Sequence, residues 1–342
     1  MLHPRLHVQI VAVAEPGPAK GRFQNSGAAH LAVHIVGSIN LDIITSLDHL
    51  PLPGETVMAK ATARLPGGKG ANQAVAAARM GAQTRMVGAV GNDDAGRWMR
   101  ERLARDGIAV SGVAALEGVE TGTAYIAVDA EGENQIVVVS GANARLTPPG
   151  PVMEGVLLAQ LEVPVGALLP VFRNSKCIRI LNAAPAVLAA DVLLDHVDVL
   201  VVNQTELAAF ACCGPVDALP AVVREARSLI RHEDQAVVVT LGARGSVAVK
   251  KDWDIHVPAV PVIPVDTVGA GDSFCGALAA LLDEGRSLAE ALPWASAAAA
   301  LCTLGQGAAP SMPMRAAVAD LLSGAATEHA PPIKNRAGVA LG

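Results

Sequence analysis

The spacing of apolar residues alternates between strand-like and helix-like segments along most of the chain. Residues 178–181, 197–202 and 236–241 are short, mostly apolar segments of the kind that form buried strands in a parallel sheet. Helical segments lie between such runs, and residues 277–282 are one example. No obvious linker interrupts the alternation over residues 31–322. The pattern predicts one doubly wound α/β domain, a mostly parallel sheet flanked by helices.

Two further segments have the pattern of strands outside that core. Residues 56–64 alternate strictly between apolar and polar side chains, which predicts a half-buried strand. Its inward face would carry Val57, Ala59, Ala61 and Ala63. Residues 123–128 and 135–140 flank a polar turn, which is the signal of a β-hairpin.

Residues 265–276 carry the strongest chemical signal in the chain. An apolar approach leads into Gly269, Ala270 and Gly271, and a helical segment follows. Small residues let the backbone pass close to a ligand, and the free N–H groups at a helix start attract anions. Asp272 beside such an anion hole suits a base that removes a proton from a hydroxyl during phosphoryl transfer. A helix start with a capping acid would also explain these residues alone.

Two better-known glycine-rich motifs are excluded. The dinucleotide fingerprint needs a glycine where this chain has Phe274. A P-loop needs Ser or Thr after Gly-Lys, but Gly68 and Lys69 are followed by Gly70.

A second glycine-rich segment opens an Ala-rich helix that ends at Gly81. Lys69 and Asn72 lie three residues apart at its start, so both can face one ligand. Gly68 lets the backbone approach that ligand closely. A glycine-rich loop before a core helix is the simpler alternative.

Polar side chains also follow two predicted strands. Asn40 and Asp42 project to the same side of an extended segment, where open α/β sheets bind ligands. Asn203 and Glu206 follow a buried strand in the same way. An ordinary turn and a plain helix cap are the respective alternatives.

These motifs, in this order, resemble those of the ribokinase-like (PfkB) carbohydrate kinases. The most specific are Gly-Gly-Lys-Gly-Ala-Asn-Gln at 67–73 and Asp-Thr-Val-Gly-Ala-Gly-Asp at 266–272. The resemblance implies a ribokinase-like domain over residues 31–325 with a small β-sheet lid, its strands from about 43–66 and 119–140. Residues 1–30 would be a loosely ordered extension and residues 326–342 a C-terminal tail.

The resemblance also implies an activity, the ATP-dependent phosphorylation of D-ribose at its 5-hydroxyl in ribose catabolism. Asp272 would be the base, and Gly269, Ala270 and Gly271 the anion hole. The sugar would be held by Asn40, Asp42, Gly68, Lys69, Asn72 and Glu162. The nucleotide would contact Asn203, Thr240, Gly242 and Gly245.

Metals and assembly follow from the same resemblance. Mg²⁺ would arrive with ATP and be organised indirectly by Glu206. An activating K⁺ would be held by Asp266, Val268, Thr303, Gln306, Ala308 and Ser311. A homodimer would form through the lid.

Two departures from the family pattern leave alternatives open. Residues 149–156 are too short and too rich in Pro and Gly for the helix expected there, so part of the sheet should be less covered. Gln204 stands where relatives carry Glu. The alternatives are a kinase for deoxyribose, fructose, 2-keto-3-deoxygluconate or adenosine, or a catalytically inactive sugar-binding regulator.

Composition narrows the class of protein. Aromatic residues make up only 2% of the chain, so Ala, Val and Leu must build the core. A net charge of −6 and a pI of about 5.8 argue against a nucleic-acid surface. Five cysteines without a C-x-x-C pair predict buried thiols in a reducing cytoplasm. The most apolar run, residues 291–304, is too short to span a membrane.

Overall fold

The computed structural model describes residues 31–324. The extension predicted for residues 1–30 and the tail predicted for 326–342 lie outside the described residues. None of the helices within 31–324 is long and apolar enough to cross a membrane.

A nine-stranded sheet forms the body of the described domain. Its strands lie in the spatial order β13-β12-β11-β10-β9-β8-β1-β4-β5, and every pair is parallel except β11/β12 and β12/β13. The strands are β1 Val33–Val36, β4 Thr84–Gly91, β5 Ala109–Leu116, β8 Val156–Gln160, β9 Ile178–Asn182, β10 Val199–Asn203, β11 Ala236–Thr240, β12 Ser246–Val249 and β13 Asp254–Val257. The predicted doubly wound, mostly parallel sheet is confirmed.

Helices cover both faces of this sheet. They are α1 Lys69–Arg79, α2 Asp94–Arg105, α3 Val165–Asn174, α4 Gln204–Phe210, α5 Leu219–Ser228, α6 Ala270–Asp283, α7 Leu288–Cys302, α8 Ala308–Ser311 and α9 Arg315–Ser323. Short 3₁₀ helices span Gly141–Arg145, Leu188–His196 and Gly242–Arg244. Ile35, Leu158 and Val201 face a core built with α1, α6 and α7. Leu181 and Leu200 face a second core built with α3, α4 and α5.

A separate four-stranded sheet, the lid, stands beside the main sheet. Its strands are β2 Asn40–Ser46, β3 Ala61–Gly67, β6 Gly122–Val128 and β7 Asn134–Val139, in the order β3-β2-β6-β7. Strands β6 and β7 pair antiparallel, so the predicted hairpin is correct.

The prediction for residues 56–64 was wrong in two respects. The strand starts at Ala61, and residues 56–59 have no regular structure. Ala61 and Ala63, predicted to face inward, are exposed. The physical reason is that no layer of the described chain packs over this part of the lid, so alternation here does not mark burial.

The short 149–156 segment leaves a limited area of the main sheet uncovered. Val152 packs into the second core, and every residue of β8 is buried. Coverage is missing farther out, where Arg85 on β4 is exposed and its neighbour Val87 is half-buried. The reduced coverage also reaches β1, where His34, the partner of Arg85, is half-buried.

All five cysteines are free, but they are not all buried. Cys177, Cys275 and Cys302 are buried, Cys213 is half-buried and Cys212 is exposed. The prediction of buried thiols was therefore wrong for Cys212, which lies in the turn after α4 with a positive φ of 51°.

Helices α1 and α6 cross at very short distance, and this crossing positions the candidate site. A Cβ on Gly276 would lie 2.5 Å from the backbone oxygen of Gln73 and 2.5 Å from the Cβ of Ala76. A glycine is therefore required for the close approach. As a consequence, the N-terminal turns of the two helices lie next to each other.

Candidate active site

Asp272 sits in the first turn of α6 and is buried. Its Oδ2 atom accepts a hydrogen bond from Asn72 Nδ2 at 3.0 Å, and its Oδ1 atom accepts one from Gln73 Nε2 at 2.9 Å. Burial raises the pKa of the Asp272 carboxyl, whereas the Lys69 charge and the two amide donors act to lower it. A carboxylate with a raised pKa, held by fixed donors, has the properties of a general base.

The residues before Asp272 form the helix start predicted from the sequence. Gly269 is in the left-handed region with φ 82°, and a Cβ there would lie 2.7 Å from the Cα of Ala308. Gly271 occupies the second helical position, where a backbone N–H has no acceptor within the helix. The N–H of Ala270 differs, since it donates to the carbonyl of Thr267 over a long 3.3 Å. That weak bond would have to yield before Ala270 could bind an anion.

A cavity of about 120 Å³ opens in front of Asp272. It lies at the C-terminal ends of the parallel strands, where open α/β sheets bind ligands. Residues predicted for four roles (catalysis, sugar binding, nucleotide binding and Mg²⁺) share its lining, namely Lys69, Asn203, Glu206, Thr240, Gly269, Gly271 and Asp272. Gly242 and Gly245 do not line it but form the tight turn after β11.

Lys69 is the cation among the acids of this cavity. Burial acts to lower its pKa, but the carboxylates of Asp272, Glu162 and Glu206 outweigh burial and raise it. Lys69 is therefore charged at neutral pH. Burial also raises the pKa of Glu206, whose carboxylate accepts a bond from the backbone N–H of Asn203 in a capping box.

The predicted sugar residues adjoin this cavity at the base of the lid. Glu162 Oε2 accepts bonds from Ser38 Oγ at 2.5 Å and from the backbone N–H of Lys69 at 3.1 Å. Asn40 is buried at the start of β2, and its side-chain oxygen accepts a bond from Asn143 Nδ2 at 2.7 Å.

Gly67 and Gly68, before α1, leave room for Asp42 and for the backbone of Asn40. Gly68 has φ 87°, and a Cβ there would lie 2.7 Å from the backbone nitrogen of Asn40. Gly67 faces Asp42, whose carboxylate oxygens lie 2.1 Å from where a Cβ of residue 67 would stand. The loop before α1 can thus be tight only with glycine at both positions.

The residues predicted to hold K⁺ gather in a loop cluster beside the anion hole. Asp266 Oδ1 accepts a bond from the backbone N–H of Val268 at 2.9 Å, and Oδ2 accepts one from Gly307 at 2.8 Å. Ala308 packs against Gly269, so the cluster touches the start of α6.

The backbone oxygens of this cluster are partly occupied. The Thr303 carbonyl accepts bonds from the N–H groups of both Val265 and Asp266, at 2.7 and 3.1 Å. The Gln306 carbonyl accepts one from Ser311 Oγ at 2.9 Å. Carboxylate and carbonyl oxygens suit a weakly hydrated cation, so these residues fit K⁺. The Thr303 carbonyl would first have to lose one of the two hydrogen bonds that it accepts.

The chain was also compared with known proteins. The family model for pfkB family carbohydrate kinases matches residues 31–315. The chain belongs to this family. It is therefore a phosphotransferase that acts on an alcohol group of its acceptor.

Individual relatives agree with that family. This pfkB kinase is 37% identical to the ribokinase of Bacillus subtilis over 300 residues, covering 84% of this chain and 98% of the relative. It is 33% identical to the deoxyribokinase of Salmonella typhi, covering 82% and 95%. The solved structure of Arabidopsis thaliana ribokinase with ribose and ATP matches with a TM-score of 0.78 and 33% identity, covering 85% of this chain and 98% of that one.

Sequence reasoning missed several buried polar side chains of the kinase site. Gln73 donates hydrogen bonds to Asp272 and to Asn182. Ser38 donates one to Glu162 and Asn143 donates one to Asn40, and both acceptors are predicted sugar residues. Gln73 directly follows Asn72 and Ser38 lies two residues before Asn40, whereas Asn143 and Asn182 lie far from the predicted site residues in the sequence. For Gln73 and Ser38 the position was visible in the sequence, but the direction of the side chain was not.

Asp42 is a half-buried acid on β2, at the base of the lid. Burial raises its pKa to about 7, and the charges of Glu162 and Asp272 add to that rise. Between its unfolded pKa of 3.8 and about 7, the native state binds more protons than the unfolded state. The free energy of unfolding therefore falls as pH rises through that window.

We predict that Asp42→Asn stabilises the sugar-free kinase at pH 8 by roughly 2 kcal/mol, since one unit of pKa corresponds to about 1.4 kcal/mol and water enters the cleft. Urea unfolding at pH 8 and pH 4 measures the difference, which should vanish at the lower pH. Asp252→Asn, on an exposed turn, controls for loss of one surface charge. Equal stability of wild type and Asp42→Asn at pH 8 would contradict the account.

Proposed function

We propose that this kinase transfers the γ-phosphoryl group of ATP to the 5-hydroxyl of D-ribose. The observation that carries the proposal is the position of Asp272, buried at a helix N-terminus in a cavity with Lys69, Asn203 and Glu206. The named activity of the Bacillus subtilis relative supports ribose as the acceptor. The ribose and ATP in the Arabidopsis thaliana structure support the same pair of substrates.

In the proposed mechanism Asp272 takes the proton of the sugar hydroxyl. The hydroxyl oxygen then attacks the γ-phosphorus, and the bond to the β,γ-bridging oxygen breaks to release ADP. The N–H groups of Gly269, Ala270 and Gly271, with Lys69, would stabilise the charge on the phosphoryl oxygens.

The sugar would lie between the lid and the start of α1. Glu162, Asp42 and Asn40 supply oxygen acceptors for sugar hydroxyls, and Lys69 and Asn72 supply donors. Gly68 would let the sugar lie against the backbone. Closure of the lid over the sugar would exclude water, which competes as a phosphoryl acceptor.

Mg²⁺ would enter with ATP. This ion keeps several waters and takes one or two carboxylates together with substrate phosphates, so Glu206, the acid of the cavity that is not the proposed base, fits a role through water. Gln204 has a different use in this chain, because its Nε2 donates to the carbonyl of Val216 and to Asp217. We propose that it anchors the loop after α4 and leaves Mg²⁺ to Glu206.

Deoxyribose is the second candidate substrate, because the Salmonella typhi deoxyribokinase is nearly as similar to this chain as the ribokinases are. The two sugars differ by one hydroxyl group. A site that pairs that hydroxyl would reject the sugar that lacks it, since a buried polar group would be left without a partner.

A coupled ADP-release assay with ribose, deoxyribose, fructose, 2-keto-3-deoxygluconate and adenosine tests the proposal. We expect the highest kcat/KM for ribose, and a higher value for another acceptor would overturn that choice. In the same assay Asp272→Asn should lower kcat about 100- to 10,000-fold, with ribose and ATP still binding by calorimetry. Asp252→Asn is the control, and near wild-type turnover in Asp272→Asn would sink the assignment of the base.

We also propose that K⁺ activates the kinase by binding in the loop cluster around Asp266, beside the anion hole. Replacing K⁺ with tetramethylammonium should lower kcat/KM several-fold, because the carboxylate beside the anion hole would lose its counter-ion. Asp266→Asn should be slow in both salts. Equal wild-type rates in the two salts would refute the proposal.

We also propose a cytoplasmic homodimer joined through the lid. Strand β7 is exposed along its whole length, with Ile136, Val137, Val138 and Val139 all uncovered at an edge of the lid sheet. An apolar edge strand of this kind pairs readily with a second copy. Sedimentation should give twice the chain mass, and Val137→Lys should give monomers; a wild-type monomer at micromolar concentration would contradict the proposal.

A further inference from the structure

Two buried glutamines form a chain of hydrogen bonds that ends on Asp272. Gln160, at the end of β8, donates from Nε2 to Gln73 Oε1 at 2.6 Å. Gln73 donates from Nε2 to Asp272 Oδ1 at 2.9 Å and to Asn182 Oδ1 at 3.0 Å. Both glutamines are fully buried, and the mechanism above uses neither.

The direction of this chain follows from the charge of Asp272. An ionised carboxylate only accepts hydrogen bonds, so Gln73 must turn its amide nitrogen toward it. Its oxygen then faces Gln160, which in turn has to present its own nitrogen. A reversed Gln73 would place a carbonyl oxygen against Asp272 and would favour the protonated acid.

Gln160 keeps its amide nitrogen toward Gln73 although its own oxygen is left without a partner in the described part of the chain. Gln160 Oε1 is buried and reaches no donor within residues 31–324. This oxygen lies against Gly37, where a Cβ would be 1.9 Å away. A buried carbonyl oxygen without a partner is costly. One carbonyl oxygen thus stays unpaired within the described chain while the amide nitrogen of Gln73 faces Asp272.

Asp272 needs such donors because many groups around it oppose its ionisation. Titratable and charged groups approach from every side, namely Asp42 on β2, Lys69 in α1, Glu162 after β8, Glu206 in α4, Cys275 in α6 and Cys302 in α7. Lys69 is the one cation in that set. Three acids and the burial itself favour a neutral Asp272, which could not act as a base.

We propose that Gln73 is a positioning residue that keeps Asp272 ionised and aimed into the cavity, and that Gln160 fixes the direction of the Gln73 amide. This inference rests on the proposed role of Asp272 as the base.

The test is the pH dependence of Asp272 in two variants of similar side-chain volume. In Gln73→Met the donor to Oδ1 is lost, so the acid limb of the kcat/KM profile should move up by about one pH unit. In Gln160→Met the Gln73 amide is free to turn over, and we expect a smaller shift in the same direction. KM for MgATP should change little, because neither glutamine lines the cavity.

The control is Gln235→Met. Gln235 is also fully buried, and its Nε2 donates to the carbonyls of Leu194 and Val197, away from Asp272. Its loss should lower stability without moving the pH profile. If Gln73→Met lowers activity by the same factor at every pH, with no shift of the acid limb, the positioning role is overturned.

A second measurement does not depend on turnover. Carbon-13 NMR of labelled Asp carboxyl groups follows the titration of Asp272 directly, with the resonance assigned by its loss in Asp272→Asn. The midpoint should rise by about one pH unit in Gln73→Met, and an unmoved midpoint overturns the inference. A shifted midpoint in a protein that phosphorylates none of the sugars would instead overturn the proposed function. An unmoved midpoint in Gln160→Met would show that Gln160 does not fix the direction of the Gln73 amide.

Discussion

The site depends on the burial of one carboxylate where two helices cross. Gly276 lets α6 approach α1 so closely that Asp272 in α6 receives hydrogen bonds from Asn72 and Gln73 in α1. The same crossing places Lys69, at the start of α1, within the field of that carboxylate. The parallel sheet supplies the remaining wall, since Asn203 and Thr240 stand at the ends of neighbouring strands.

Burial raises the pKa of Asp272, the proposed base, and also makes the site costly for the fold. Asp42, Glu162 and Asp272 lie near one another with Lys69 between them, and the pKa of Asp42 is raised to about 7 in the absence of sugar. Such an arrangement destabilises the unliganded protein at neutral pH. Hydroxyl groups of a bound sugar would supply donors to these acids. Binding of a polyhydroxyl substrate would therefore relieve this electrostatic cost and gain affinity from it.

Much of this architecture could be predicted because local patterns and global fold agree. The parallel strands β10 and β11 are almost entirely apolar, and the helix starts at Lys69 and Ala270 are marked by glycine-rich sequences. The prediction failed at residues 56–64, because alternation does not show whether a second layer covers the lid. It also overlooked Gln73 and Gln160. Hydrogen bonds between residues 87 positions apart depend on the packing of α1 against β8, and no local pattern encodes that packing.

The most direct test of the account is a crystal structure of the protein with ribose and a non-hydrolysable ATP analogue. If Asp272 is the base, we expect the 5-hydroxyl oxygen within about 2.6–3.2 Å of one of its carboxylate oxygens, with the terminal phosphate at the start of α6. A sugar bound between the lid and α1 with its 5-hydroxyl pointing away from Asp272 would contradict the central claim.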